Sequence, residues 1–73
     1  MTKKLLTLAK QLDFRNEIEY FDYCINSYFN GNFSQCKELF FSMKVKDRKE
    51  LITYIQGCYD YKSNVETFYF NLL

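Results

Sequence analysis

Apolar residues recur three and four positions apart along almost the whole chain, and this spacing limits the possible folds more than any other feature. The longest run consists of five large residues that share one helical face: Phe14, Ile18, Phe21, Ile25 and Tyr28. The chain has no proline and only two glycines, so few positions interrupt a helix. No apolar run alternates with the period of a strand, and the dipeptides typical of hairpin turns are absent. The sequence therefore predicts an all-α fold. Strand propensity favours an alternative only for the aromatic run 67–70.

Capping signals predict where the helices begin and end. Asp13 is expected to cap the second helix, and Gly31 is expected to end it in the left-handed conformation. Three later pairs have the spacing of a capping box, namely Asn32 with Gln35, Asp47 with Glu50, and Ser63 with Glu66. Together these signals predict one helical domain over residues 1–73. It is expected to be a small bundle of four to five short helices, built around an αα-hairpin that bends at residues 30–32.

The small size of the chain sets a problem of stability. A single core in 73 residues rarely supplies more than roughly 3–5 kcal/mol. The three cysteines are odd in number and show no CxxC spacing, so we expect Cys24, Cys36 and Cys58 to be small buried residues in a reducing cytoplasm. A redox-linked pair of Cys24 and Cys36 across the hairpin stays open. No apolar stretch reaches the 18 or so residues that span a bilayer, so we expect no membrane contact.

The sequence offers little for catalysis. It contains no histidine, which removes the commonest general base and the commonest metal ligand. There is no glycine-rich phosphate loop and no zinc or calcium ligand spacing. The carboxylates Glu17, Glu19 and Asp22 fall mainly on the polar side of the second helix. We therefore expect no enzyme activity, no cofactor and no metal.

Charge is balanced overall, with 10 basic and 9 acidic residues, but it is unevenly placed. Residues 13–22 hold four acids against one arginine, a local net charge of −3. Residues 44–49 hold four basic residues against one acid, a local net charge of +3. These four basic residues are predicted to bind an anion or an acidic partner: Lys44, Lys46, Arg48 and Lys49.

Eight Phe and seven Tyr are more rings than a domain this small is expected to bury. Such residues are enriched in protein interfaces, where they offer a large area at a low cost in rotamer entropy. Several of the rings lie off the main apolar faces of the second and third helices. The predicted partner-binding residues are Tyr20, Tyr23, Tyr28, Phe29 and Phe41.

Residues 27–43 resemble the helical hairpin of tetratricopeptide repeats. Gly31 stands at the turn position of that family, Phe33 and Phe40 at its aromatic positions, and Cys36 and Met43 at its small positions. No proline closes the unit and no second copy follows 34 residues later, so the resemblance implies one local αα-hairpin and not an array. The composition, rich in Phe, Tyr, Asn, Lys and Ile, resembles that of short proteins from AT-rich phages or mobile elements.

The sequence predicts a non-catalytic protein-interaction module, a homodimer in the cytoplasm. It would act as a small, phage-type accessory or inhibitor protein that occludes a surface of its partner. The alternative is a small nucleic-acid-binding accessory protein that uses the basic cluster 44–49.

Overall fold

The computed structural model describes residues 1–58 and 64–73, and these residues form five helices without any strand. The helices are α1 (Lys3–Gln11), α2 (Glu17–Phe29), α3 (Phe33–Ser42), α4 (Val45–Cys58) and α5 (Asn64–Leu72). The all-α prediction is confirmed. The aromatic run 67–70 lies inside α5, so the strand alternative is wrong.

Helix α2 is the centre of the bundle. It packs against α1, α3 and α5, and α4 packs against α5. The α2–α3 connection is three residues long and the α3–α4 connection two, which keeps consecutive helices in contact. The Cα radius of gyration is 11.2 Å. The predicted arrangement around an αα-hairpin is confirmed.

The core draws on all five helices. Its buried apolar members are Leu5, Ala9, Tyr20, Phe21, Cys24, Ile25, Cys36, Leu39, Phe40, Met43, Leu51, Ile52, Ile55, Val65 and Tyr69. On α2 the buried face is wider than the predicted run, because it takes in Tyr20 and Cys24, whereas Ile18 stays exposed. The side chain of Cys58 lies outside the described residues, as does Ser63.

Two tyrosines lie fully inside the core, and each has a hydrogen-bond partner for its hydroxyl. Tyr20 Oη donates to the carbonyl oxygen of Leu39 at 2.8 Å, and Tyr69 Oη donates to that of Cys24 at 2.6 Å. The hydroxyls thus tie α3 and α5 to α2. Burial raises the pKa of both phenols well above the ordinary value of 10.0. Tyr20 is 1% exposed and joins α3 to α2, so its predicted contact with a partner stays a prediction.

Asp13 ends α1 and does not begin α2. It adopts a φ of 62°, its N–H bonds to Lys10 O at 3.0 Å, and the N–H of Phe14 bonds to Ala9 O at 2.9 Å. These are the two bonds of a Schellman motif, which a short polar side chain tolerates in the left-handed region. The cap of α2 is Asn16, whose side chain accepts from the N–H of Glu19 at 3.1 Å.

Gly31 ends α2 as predicted. Its φ is 78°, its N–H bonds to Tyr28 O at 3.0 Å, and the N–H of Asn32 bonds to Ser27 O at 2.9 Å. Asn32 is the N-cap of α3, but its side chain forms no capping bond. The predicted capping box is therefore wrong. The Gln35 side chain is instead held by α2, because it lies between the hydroxyls of Ser27 and Tyr23.

Asp47 is the second capping residue that the sequence placed wrongly. Helix α4 already begins at Val45, so Asp47 lies within its first turn. Its side chain is fully buried, and the carboxylate accepts hydrogen bonds from the backbone N–H of Thr2 at 3.0 Å and from the Thr2 hydroxyl. Thr2 in turn caps α1. Asp47 therefore holds the first turn of α1 against the first turn of α4.

Candidate protein-interaction surfaces

The cysteines take no part in a reactive arrangement among the described residues. Cys24 and Cys36 are buried free thiols, and Cys36 Sγ donates to the carbonyl oxygen of Cys24 at 3.9 Å. Burial raises the pKa of the Cys24 thiol well above its ordinary value of 9.0, and the neighbouring Cys36 adds to that shift. The Cys24 thiol is thus protonated near neutral pH and is a poor nucleophile. The prediction that Cys24 and Cys36 are small buried residues is confirmed.

Four rings meet at the α2–α3 turn, and we call them the hairpin-tip cluster: Tyr28, Phe29, Phe33 and Phe68. The ring centroid of Tyr28 lies 5.6 Å from that of Phe29, 5.4 Å from that of Phe33 and 5.2 Å from that of Phe68. Phe29 and Phe33 remain 50% and 48% exposed, while Tyr28 and Phe68 are half-buried. The cluster is therefore an apolar surface with a fixed base on the core.

The chain is uncharged along the segment that carries Tyr28, Phe29 and Phe33, and Lys37, one helical turn after Phe33, is the first charged residue of α3. Residues 23–36 contain no Asp, Glu, Lys or Arg. The exposed residues of the turn between Phe29 and Phe33 are two amides and a glycine, Asn30, Gly31 and Asn32. An aromatic centre beside such a rim of uncharged polar residues has the composition of a protein interface core, where charged residues are depleted.

The predicted basic cluster divides into two functions. The guanidinium of Arg48 donates from Nε to Phe40 O and from Nη2 to Phe41 O, both at 3.1 Å. It also lies over the Phe41 ring, 5.1 Å from its centroid. Arg48 therefore caps the last turn of α3 and is engaged within the fold.

Lys44, Lys46 and Lys49 are exposed, and none forms an ion pair with a residue that the structure describes. Phe41 is 49% exposed and lies in the last turn of α3, just before the corner between α3 and α4. We call Phe41 and these three lysines the basic patch. It offers positive charge next to one accessible ring.

A groove separates α1 from α3, and α2 forms its floor. Its volume is about 280 Å³, and its lining residues are Leu8, Gln11, Leu12, Tyr20, Tyr23, Gln35, Glu38, Leu39 and Ser42. A second hollow of about 240 Å³ adjoins it through Tyr23, with Phe14, Glu19, Asp22 and Asn26 as its other lining residues. We call the two together the Tyr23 groove. It includes two of the predicted contact residues, Tyr20 and Tyr23. Tyr23 is half-buried, and its ring packs against that of Phe14 in a T-shaped arrangement.

Sequence reasoning missed Phe33 and Phe68 in the hairpin-tip cluster, because both occupy apolar helical positions that were assigned to the core. It also missed the α3 wall of the Tyr23 groove. A signal for that wall exists, since Gln35, Leu39 and Ser42 recur at helical spacing on a face distinct from the one with Cys36 and Phe40.

Within the described residues, no helix combines the length and apolar character that crossing a membrane requires. Comparison of the chain with protein-family models, with curated proteins and with solved structures gives no match.

Proposed function

We propose that this chain is a non-catalytic protein-interaction module of the cytoplasm that forms a homodimer through the hairpin-tip cluster. The observation that carries the proposal is the exposure of Phe29 and Phe33 on either side of an uncharged polar turn. In this role the protein would act as an accessory or inhibitor protein that occludes a partner surface.

The lack of charge is what favours a second copy of the chain. Across a two-fold axis each patch faces itself, so a charged patch would bring like charges together. The basic patch would repel itself in this way, because Lys44, Lys46 and Lys49 are exposed. The hairpin-tip cluster has no such penalty on residues 23–36.

The size of the surface sets the expected affinity. A Phe side chain buries up to about 200 Å², so Phe29 and Phe33 each leave roughly 100 Å² accessible. With the amide rim the patch reaches roughly half of the ~800 Å² per partner that a standard interface covers. We therefore expect a weak dimer that dissociates in the micromolar range.

The experiment is analytical ultracentrifugation over a wide range of protein concentration. The native chain is expected to shift from monomer to dimer, and a Phe29→Asp/Phe33→Asp variant is expected to stay monomeric with an unchanged far-UV circular dichroism spectrum. Phe70→Asp is the matched control, because Phe70 is 61% exposed and forms no ring contact with the hairpin-tip cluster. A native chain that stays monomeric at millimolar concentration refutes the dimer, as does equal loss in the control.

A second candidate function is nucleic-acid binding through the basic patch. It is favoured by the exposed Phe41 ring in the last turn of α3, because the next segment of the chain carries the exposed Lys44, Lys46 and Lys49, and a ring with nearby cations resembles a stacking platform. Binding of a labelled single-stranded oligonucleotide should then be lost in a Lys46→Glu/Lys49→Glu variant. With about three phosphate contacts, a plot of the logarithm of the binding constant against the logarithm of salt concentration should have a slope of about −2. No binding at low salt would exclude this function.

A further inference from the structure

We infer that the Tyr23 groove binds a basic amphipathic helix of a partner protein. The inference rests on the proposed role as an interaction module, but it concerns a surface separate from the hairpin-tip cluster. It thereby specifies the chemistry of the partner segment, and it leaves the hairpin-tip cluster free for the dimer.

The shape of the Tyr23 groove suits a helix. Helices α1 and α3 both pack against α2 and stand as two walls, with Tyr20 and Tyr23 between them. Each wall presents residues at helical spacing, Leu8 with the C-cap residue Leu12 at α1 and Gln35 with Leu39 on α3. The walls are nine and ten residues long, which is roughly 15 Å, so they match a docked helix of two to three turns.

The apolar part of the Tyr23 groove is accessible. Leu12 is 42% exposed, Leu8 is half-buried, and Leu39 is a buried part of the α3 wall. A partner helix therefore meets a leucine-lined surface that accepts one or two aliphatic or aromatic side chains. The larger hollow, with a volume near 280 Å³, has room for such anchoring side chains.

The polar part of the Tyr23 groove is held in place. Gln35 Nε2 donates to Tyr23 Oη at 2.5 Å, and Ser27 Oγ donates to Gln35 Oε1 at 3.3 Å. The Tyr23 ring is also fixed by its contact with Phe14, at 5.4 Å between centroids. A surface with fixed side chains loses little conformational entropy when a partner binds.

The charge of the Tyr23 groove selects the partner. Three carboxylates line it, Glu38 in the larger hollow and Glu19 with Asp22 in the smaller one, and no described lysine or arginine lines either hollow. Arg15 compensates Glu19 at 2.9 Å, whereas Glu38 and Asp22 have no ion pair with a described residue. A segment that brings lysine or arginine beside its apolar face matches this pattern.

The experiment measures fluorescence anisotropy of three labelled synthetic peptides, each about eleven residues long to match the groove. The first has leucines at helical spacing on one face and lysines elsewhere. The second replaces the lysines by glutamates, and the third has the first composition in an order that removes the apolar face. The basic amphipathic peptide is expected to bind at least tenfold more tightly than either of the others, and its affinity should fall as the salt concentration rises.

Two variants with the same change of charge locate the binding. Glu38→Lys places a cation in the Tyr23 groove and should lower the affinity for the basic peptide at least tenfold. Glu66→Lys makes the same change on α5, away from the groove, and should alter affinity less than threefold, as is typical of surface charge pairs. Both variants should keep the native circular dichroism spectrum.

The inference is overturned by equal binding of the acidic peptide, by an equal effect of the two lysine variants, or by no binding of the basic peptide at millimolar concentration. It is also overturned if Glu38→Lys abolishes the dimer, because a second copy would then occupy the groove. Failure of the dimer is separable, since a monomeric Phe29→Asp/Phe33→Asp variant is still expected to bind the basic peptide.

Discussion

Replacing Asp47 by alanine should release the first turn of α1 from α4. The Asp47 carboxylate is fully buried and accepts two hydrogen bonds from Thr2, one from its backbone N–H and one from its hydroxyl. Thr2 also caps α1 by accepting from the N–H of Leu5 at 3.4 Å. One carboxylate therefore supports both the position of α1 and its cap.

The expected loss of stability in Asp47→Ala follows from these hydrogen bonds. A hydrogen bond to a charged group contributes about 1.5–3 kcal/mol, and the cost of burying the carboxylate offsets part of what the two hydrogen bonds contribute together. We expect Asp47→Ala to lower the free energy of unfolding by about 2–3 kcal/mol. Since a core of this size supplies roughly 3–5 kcal/mol, the variant should be close to unfolded at room temperature. Asp47→Asn keeps one acceptor oxygen and should lose about half as much.

The assay is urea denaturation followed by far-UV circular dichroism, with Thr2→Val completing a double-mutant cycle. The coupling between the two sites should be at least about 1 kcal/mol, because the two residues share their hydrogen bonds. Lys46→Ala, in the same turn but exposed, should stay within about 0.5 kcal/mol of the native chain. An Asp47→Ala variant as stable as that control, or additive effects in the cycle, would refute the reasoning.

Three further predictions concern other parts of the fold. Arg48→Met should lower the free energy of unfolding by about 1–2 kcal/mol in the same titration, because two carbonyls in the last turn of α3 each lose a donor. Arg48→Lys should recover less than half of that loss, and equal stability of the lysine and arginine forms would contradict the cap. Asp13→Gly should stabilise the chain by about 0.5–1 kcal/mol, because Asp13 has a φ of 62°. Gly31→Ala, at a φ of 78°, should destabilise it by about 1 kcal/mol despite the open space around Gly31. Thermal melts in which both variants shift the melting temperature in the same direction would oppose this account. Stability should fall as pH rises above about 9, because burial raises the pKa of the Cys24 thiol in the folded chain, so the unfolded chain loses that proton first. Cys24 contributes a slope that approaches about 1.4 kcal/mol per pH unit, and Cys24→Ala should remove that contribution, while the buried phenols of Tyr20 and Tyr69 add their own slope above pH 10.

The comparison of expected and observed caps shows what local patterns carry. Gly31 was predictable because a left-handed position after an apolar run has few other solutions. Asp13 and Asp47 have the same residue type as a good N-cap, yet one adopts the left-handed conformation and the other is buried in a first turn. The type of residue does not distinguish these roles, because each depends on which group from a distant segment, such as Thr2, comes within bonding distance.

The candidate surfaces were predictable in kind and only partly in membership. Phe29 and Phe41 are exposed, as expected for rings off the main apolar faces. Tyr20 lies off the predicted run as well, but it is buried because the carbonyl oxygen of Leu39 satisfies its hydroxyl. The four basic residues 44–49 similarly divide, since Arg48 reaches back to α3. Periodicity assigns a side chain to a face, but it does not reveal what packs on that face.

By itself the sequence determined that the chain forms short helices, where the central hairpin turns and which helical faces are mainly apolar. These properties depend on spacing, on backbone preferences and on the scarcity of glycine and proline, all of which act within a few residues. The tertiary structure decided the rest. Only the packing of the five helices against one another buries Tyr20 and Tyr69, joins Asp47 to Thr2 and opens the Tyr23 groove. Burial and hydrogen-bond partners arise between segments far apart in the chain, so no local pattern contains them.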